Sequence, residues 1–131
     1  MSYIENIEKK TLENTNFRTV LYTTTNFQLV VMSLLPGEEI GMETHSLDQF
    51  IRIESGQGVS MLNGIETAIT DGTALIITAG TMHNIKNTTQ TPMKLYTLYA
   101  PPNHKDGTIH HTKADAEKDE EEHFDGVVTQ R

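Results

Sequence analysis

Short runs rich in apolar and β-branched residues fill positions 17–100, and a turn signal closes each of them. That rhythm predicts a sandwich or barrel of strands, not a helical bundle. Strands are predicted at 17–23 and 27–35, the second carrying Leu29, Val30, Val31 and Met32 in succession and ending at Pro36-Gly37. Further strands are predicted at 40–45, 49–54 and 59–62, with Gly56-Gln57-Gly58 breaking the last two apart. Asn63-Gly64 predicts a two-residue type I′ hairpin into a strand at 65–70, because both central positions need positive φ. Asp71-Gly72 marks the next turn. Strands at 73–78 and 83–87 then flank a tight bend at Ala79-Gly80, and 93–100 is the last, stopped by the donorless Pro101-Pro102.

Outside this stretch the pattern changes. Residues 1–16 are polar and non-periodic and read as an N-terminal arm. In the C-terminal extension, 101–131, Thr112 followed by Asp115 reads as a helix N-cap with a carboxylate at the third helical position, and Gly126 as a residue that ends a helix. The prediction is a helix over 112–124. Its apolar content is only Ala114, Ala116 and Phe124, so it should be exposed, with Phe124 docking on the barrel.

A chain of 131 residues suits one domain with one core. The absence of cysteine excludes disulfides, thiolate metal sites and a cysteine nucleophile, leaving His, carboxylate or amide oxygen to hold any metal. A net charge of −8 argues against nucleic acid or an anionic membrane surface as a partner. No apolar run approaches the roughly 20 residues of a membrane span, and the N-terminus lacks a signal-peptide core. The expectation is a soluble, cytoplasmic protein.

Two segments carry the candidate chemistry: GEEIGMETHSLDQFIRIESG from Gly37 to Gly56, and GTALIITAGTMHNIKN from Gly72 to Asn87. Residues two apart in a strand share a face, so Glu43 and His45 point the same way, and Gln49 lies on the face of Ile51 and Ile53. In the second segment His83 shares a face with Ile85 and Asn87, while Lys86 points outward, as does Arg52 in the first. With both bases turned away, a phosphosugar ligand is disfavoured.

Together the segments resemble the paired motifs of the cupins. The second matches at Gly72, Gly80, His83 and Asn87, with Thr78 where proline is usual. The first keeps its glycines and one histidine: Glu43-Thr44-His45 stands where His-x-His belongs, and Gln49 where a Glu belongs. The chain resembles in particular the small single-domain bacterial cupins often labelled mannose-6-phosphate isomerase-like. The resemblance implies an all-β, antiparallel double-stranded β-helix, or jelly-roll barrel, over 17–100, often as a homodimer. It also implies that Glu43, His45, Gln49 and His83 are the metal ligands. Two His, one carboxylate and one amide suit a divalent transition metal: Mn, Fe, Ni, Co or Zn. Without Gln49 the remainder resembles the two-His, one-carboxylate arrangement of non-heme iron oxygenases. The alternative is a metal-free barrel in which the same four side chains form a hydrogen-bond network.

His104, His110, His111 and His123 are read as solvated or capping residues. Met32, Met42, Met61, Met82 and Met93, with Tyr96 and Tyr99, are read mostly as core or interface, and less as pocket lining. The expected function is metal-dependent oxygenation or isomerisation of a small organic molecule in the barrel cavity. The alternative is a non-catalytic cupin that binds or senses a small molecule.

Overall fold

The computed structural model describes residues 2–130. Its strands are β1 (Arg18–Thr23), β2 (Gln28–Leu34), β3 (Asp48–Ser55), β4 (Gln57–Leu62), β5 (Ile65–Thr70), β6 (Ala74–Ile77), β7 (His83–Asn87), β8 (Met93–Ala100) and β9 (Ile109–His110). Helix α1 (Ile7–Glu13) precedes them and α2 (Lys113–Lys118) follows. Six strands form one sheet in the order β6-β3-β8-β2-β1-β9, and three form a second in the order β5-β4-β7. Every pairing is antiparallel. This is the jelly-roll barrel that the resemblance implies.

Alternation along β3 and β8 buries Ile51, Ile53, Leu95 and Met93, which join Val30, Met32, Leu34 and Ile85 in one core. Of the other methionines, Met42 and Met82 are exposed. The hairpin between β4 and β5 turns as predicted, with φ of 48° at Asn63 and 84° at Gly64.

Three local readings change. The stretch 40–45 is not a regular strand: isolated bridges at Glu39–Lys86 and Glu43–His83, with Ile40 N–H donating to the Ile85 carbonyl between them, hold it against β7. Four steps on one side face three on the other, and Gly41 at φ 110° absorbs the extra residue as a bulge, its N–H donating to Asn84 Oδ1. Helix α2 starts at the predicted cap, where Thr112 Oγ1 accepts from Asp115 N–H, but stops at Lys118. Beyond it, Asp119 and Glu122 turn away to meet His110 and His104, contacts that a continuing helix would forgo. The N-terminal arm contains α1, capped by Asn6 and packed on the large sheet through buried Thr11, with Lys94 Nζ donating to Asn14 O. No helix among the described residues is long and apolar enough to cross a membrane.

Candidate metal centre

Glu43 and His83 exchange both backbone hydrogen bonds, at 2.9 Å each, so their side chains stand side by side on one face of the smaller sheet. His45 lies two residues beyond Glu43, and its carbonyl accepts from Gly80 N–H in the bend that leads to β7. The result is a group of one carboxylate and two imidazoles whose ligand atoms all lie within 4.8 Å of one another. Atoms held about 2.0–2.2 Å from one ion are separated by at most about twice that, so a small closure suffices.

The hydrogen bonding leaves these donors available. His83 Nδ1 lies 2.9 Å from the Thr81 carbonyl, which can only accept. The proton is therefore on Nδ1, and Nε2 offers its lone pair. His45 Nε2 lies 2.7 Å from Glu43 Oε2, an ion-pair contact that is short but not aligned as a hydrogen bond. The two ligand atoms are thus already side by side. Burial pushes the Glu43 carboxyl up, but His45, Arg18 and His83 outweigh it and hold the group below its ordinary range. Glu43 is thus a carboxylate ready to bind a cation.

Gln49 faces inward from β3 on the larger sheet and is buried. Its Nε2 donates to Thr97 Oγ1 at 3.0 Å, which fixes the amide, while its buried Oε1 has no partner. An orphaned acceptor of this kind costs about 1–3 kcal/mol unless something satisfies it. Its register partner is Tyr99, whose ring stands edge-on to His45 at 6.1 Å. The donor set fits a divalent cation: a closed hydrogen-bond network would pair His45 with Glu43, as seen, but would not leave Gln49 Oε1 without a partner.

The tail histidines depart from the solvated or capping role read from the sequence. His104 and His110 are both buried. His104 Nδ1 lies 2.6 Å from Glu122 Oε1 and its Nε2 3.4 Å from Tyr99 Oη, so the tail is tied to the barrel wall beside the site. Burial pushes the Tyr99 phenol above its ordinary range, which leaves it protonated. His110 is held between Arg18 Nη1 at 3.1 Å and Asp119 Oδ2 at 3.0 Å. His111 and His123 are exposed, as expected.

Acid should loosen the tail. Burial lowers the pKa of His104 from its ordinary 6.5, with the Glu122 contact opposing, so the unfolded chain takes up this proton first. Stability is then complete above about pH 6.5 and declines as pH falls toward the folded-state value. Glu122 is raised by burial but lowered further by His104, ending below its ordinary 4.5, so the loss continues in more acidic solution. Thermal melts between about pH 8 and pH 5 should show Tm falling toward acid, with a shallower slope in His104→Gln; equal slopes would contradict the assignment.

Arg18 escaped the sequence reading altogether. It sits on β1, on the face of buried Val20, and with Ile40, Glu43, Lys113 and Ala116 it lines a cleft of about 200 Å³. The available signal was an arginine on the inward face of a predicted strand. Arg52 and Lys86 keep the outward orientation that alternation predicts, but Arg18 and Lys113 bring positive charge to the cleft beside Glu43.

A family model described as the cupin domain matches residues 30–99. YrkC of Bacillus subtilis is 46% identical over 121 residues, covering 87% of this chain and 65% of YrkC, so the chain spans somewhat under two thirds of that relative. A protein of Acanthamoeba polyphaga mimivirus is 40% identical over 112 residues, covering 82% of this chain and 70% of the relative. Among solved structures, BH2720 from Bacillus halodurans superposes with a TM-score of 0.88 at 42% identity, over 90% of this chain and 95% of that one.

Proposed function

Because the chain belongs to the cupin family, we propose that it is a divalent-metal protein acting on a small organic molecule in the barrel cavity, by oxygenation or isomerisation. The observation that carries this reading is the convergence of the ligand atoms of Glu43, His45 and His83 within 4.8 Å of one another. Gln49 is the proposed fourth ligand, through its unpartnered Oε1. A bound ion would supply Lewis acidity toward an oxygen of the bound molecule.

The protein's own residues set the rest. Thr81 fixes the His83 tautomer, and Thr97 fixes the Gln49 amide. Buried Ile51 and Ile85, which share faces with Gln49 and His83, keep the surroundings apolar and strengthen electrostatic contacts there. Tyr99, protonated and buried, can donate a hydrogen bond but cannot serve as a base.

The second reading, a binding or sensing cupin without turnover, is favoured by the engagement of the nearest acid and base candidates: Tyr99 is held protonated and His104 is tied to Glu122. A single experiment separates the two. Protein reconstituted with Fe(II) or Mn(II) is screened by thermal shift against small carbonyl compounds and organic acids, and each stabilising compound is then followed by NMR and an oxygen electrode. Oxygenation consumes O₂ and isomerisation converts the compound without it. Stabilising compounds that all persist unchanged would leave the binding reading, and wild-type protein that takes up none of Mn, Fe, Ni, Co and Zn would overturn the proposed centre.

A further inference from the structure

The cleft beside Glu43 holds an arginine that the metal reading does not use. Arg18 is only 8% exposed. Its guanidinium spends one hydrogen bond on His110 Nδ1, and its Nε has no hydrogen-bond partner. Arginine stays charged, so the site holds a nearly buried cation whose facing charges have to be accounted for. Glu43 lies in the same cleft, but its carboxylate is drawn to His45 and would be neutralised further by an ion. Glu117, the other acid there, sits 3.9 Å from Lys113 Nζ with an exposed side chain, and Asp119 reaches Arg18 only through the His110 ring. Glu122, tied to His104, also acts on Arg18, so with a divalent ion on Glu43 the two cationic side chains and the ion only offset Glu43, Glu117, Asp119 and Glu122, and the pull on an anion is local to the guanidinium. Phe17 lies under the guanidinium, its ring centroid 5.2 Å from the guanidinium carbon.

Resting on the metal reading above, we propose that the substrate is a small carboxylic acid and that Arg18 recognises its carboxylate, placing the rest of the molecule beside Glu43 and the ion. A planar fork with spare donors matches a carboxylate in two parallel hydrogen bonds. The volume points to a small acid, because about 200 Å³ is the space of roughly seven waters at about 30 Å³ each. Two carboxylates in the wall disfavour a dianion, and Lys113, which also lines the cleft, adds long-range attraction to a single negative charge.

Calorimetric titration of the full chain, with and without Mn(II), uses lactate and pyruvate as probes, malonate as a dianion that should bind more weakly than either, lactamide as the neutral isostere of lactate, and inorganic phosphate as a competing anion. Lactate should bind about tenfold or more tightly than lactamide, the effect expected of a charge-assisted hydrogen bond. Arg18→Gln should lose that preference while its Mn(II) content, measured separately, stays at the wild-type level. Arg18→Lys should recover part of it, and Lys113→Gln should weaken lactate by roughly two- to threefold. If Arg18→Gln fails to fold, the wild-type contrast between acid and amide and the Lys113→Gln shift decide the matter. Equal binding of acid and amide, binding of none of the three acids, unchanged acid affinity in a folded Arg18→Gln, or phosphate displacing every acid would overturn the proposal. Discrimination of acid from amide by protein that takes up no metal supports the acid site and counts against the metal reading alone.

Discussion

Protein in which His45 and His83 are both alanine should take up no divalent metal under conditions that give stoichiometric binding by the wild type. The double substitution removes both nitrogen donors and leaves Glu43 with only the neutral amide of Gln49, across on the other sheet. Loss of an outer partner of a metal ligand typically costs 10–100-fold in affinity, so loss of two ligands should exceed about 100-fold. Thermal stability offers a second readout. An ion at 100 times its Kd adds about 2.7 kcal/mol to the folded state, so added metal should raise Tm in the wild type and leave the double variant unmoved. Gln49→Leu is the finer probe: it should weaken binding without abolishing it, because three donors remain. A double variant that still binds metal as the wild type does would remove the centre from Glu43, His45 and His83.

The sequence carried the strand pattern and the inward faces because both are local. Period-two alternation places Gln49 with Ile51 and Ile53, and His83 with Ile85 and Asn87, and the barrel keeps both sets buried. The hairpin at Asn63-Gly64 rests on two positive φ values that its residue types permit. What stayed hidden depends on register or on distant partners. That Glu43 and His83 form a hydrogen-bonded pair follows from how 38–45 lies against β7, and the bulge at Gly41 sets that register. Arg18 meets His110 across 92 residues, and Gln28 holds the backbone of His104 across 76, so neither histidine reveals its burial in its own neighbourhood. Helix α1 has one buried residue, Thr11, and too few apolar positions to show a period; its docking on the large sheet supplies what propensity does not.

Gly58→Ala should be among the most destabilising single substitutions in the barrel. Gly58 lies on β4, in register with Asn87 of β7, and a Cβ there would collide with the Lys86 carbonyl oxygen and lie 2.6 Å from Met93 Cε. The methionine end is flexible and could move; the carbonyl belongs to the strand paired with β4 and cannot retreat without opening that ladder. Overpacking costs about 1–3 kcal/mol where side chains can adjust, and a backbone obstacle puts this site at or above the upper end. Against a total of about 5–15 kcal/mol, such a loss should appear as a Tm lower by roughly 10 °C and an earlier urea midpoint. Adding Met93→Ala separates the two obstacles. If the carbonyl dominates, the double variant loses the cost of both changes; if the methionine dominates, the second change recovers part of the first. The consequence reaches the metal centre, because β7 begins at His83, four residues before Asn87, and Glu43 is hydrogen-bonded to that same residue. A β7 pushed away from β4 displaces His83 together with its partner, so folded Gly58→Ala should also bind metal more weakly than the wild type. Wild-type stability and metal affinity in this variant would show that the barrel yields where its backbone contacts say it cannot.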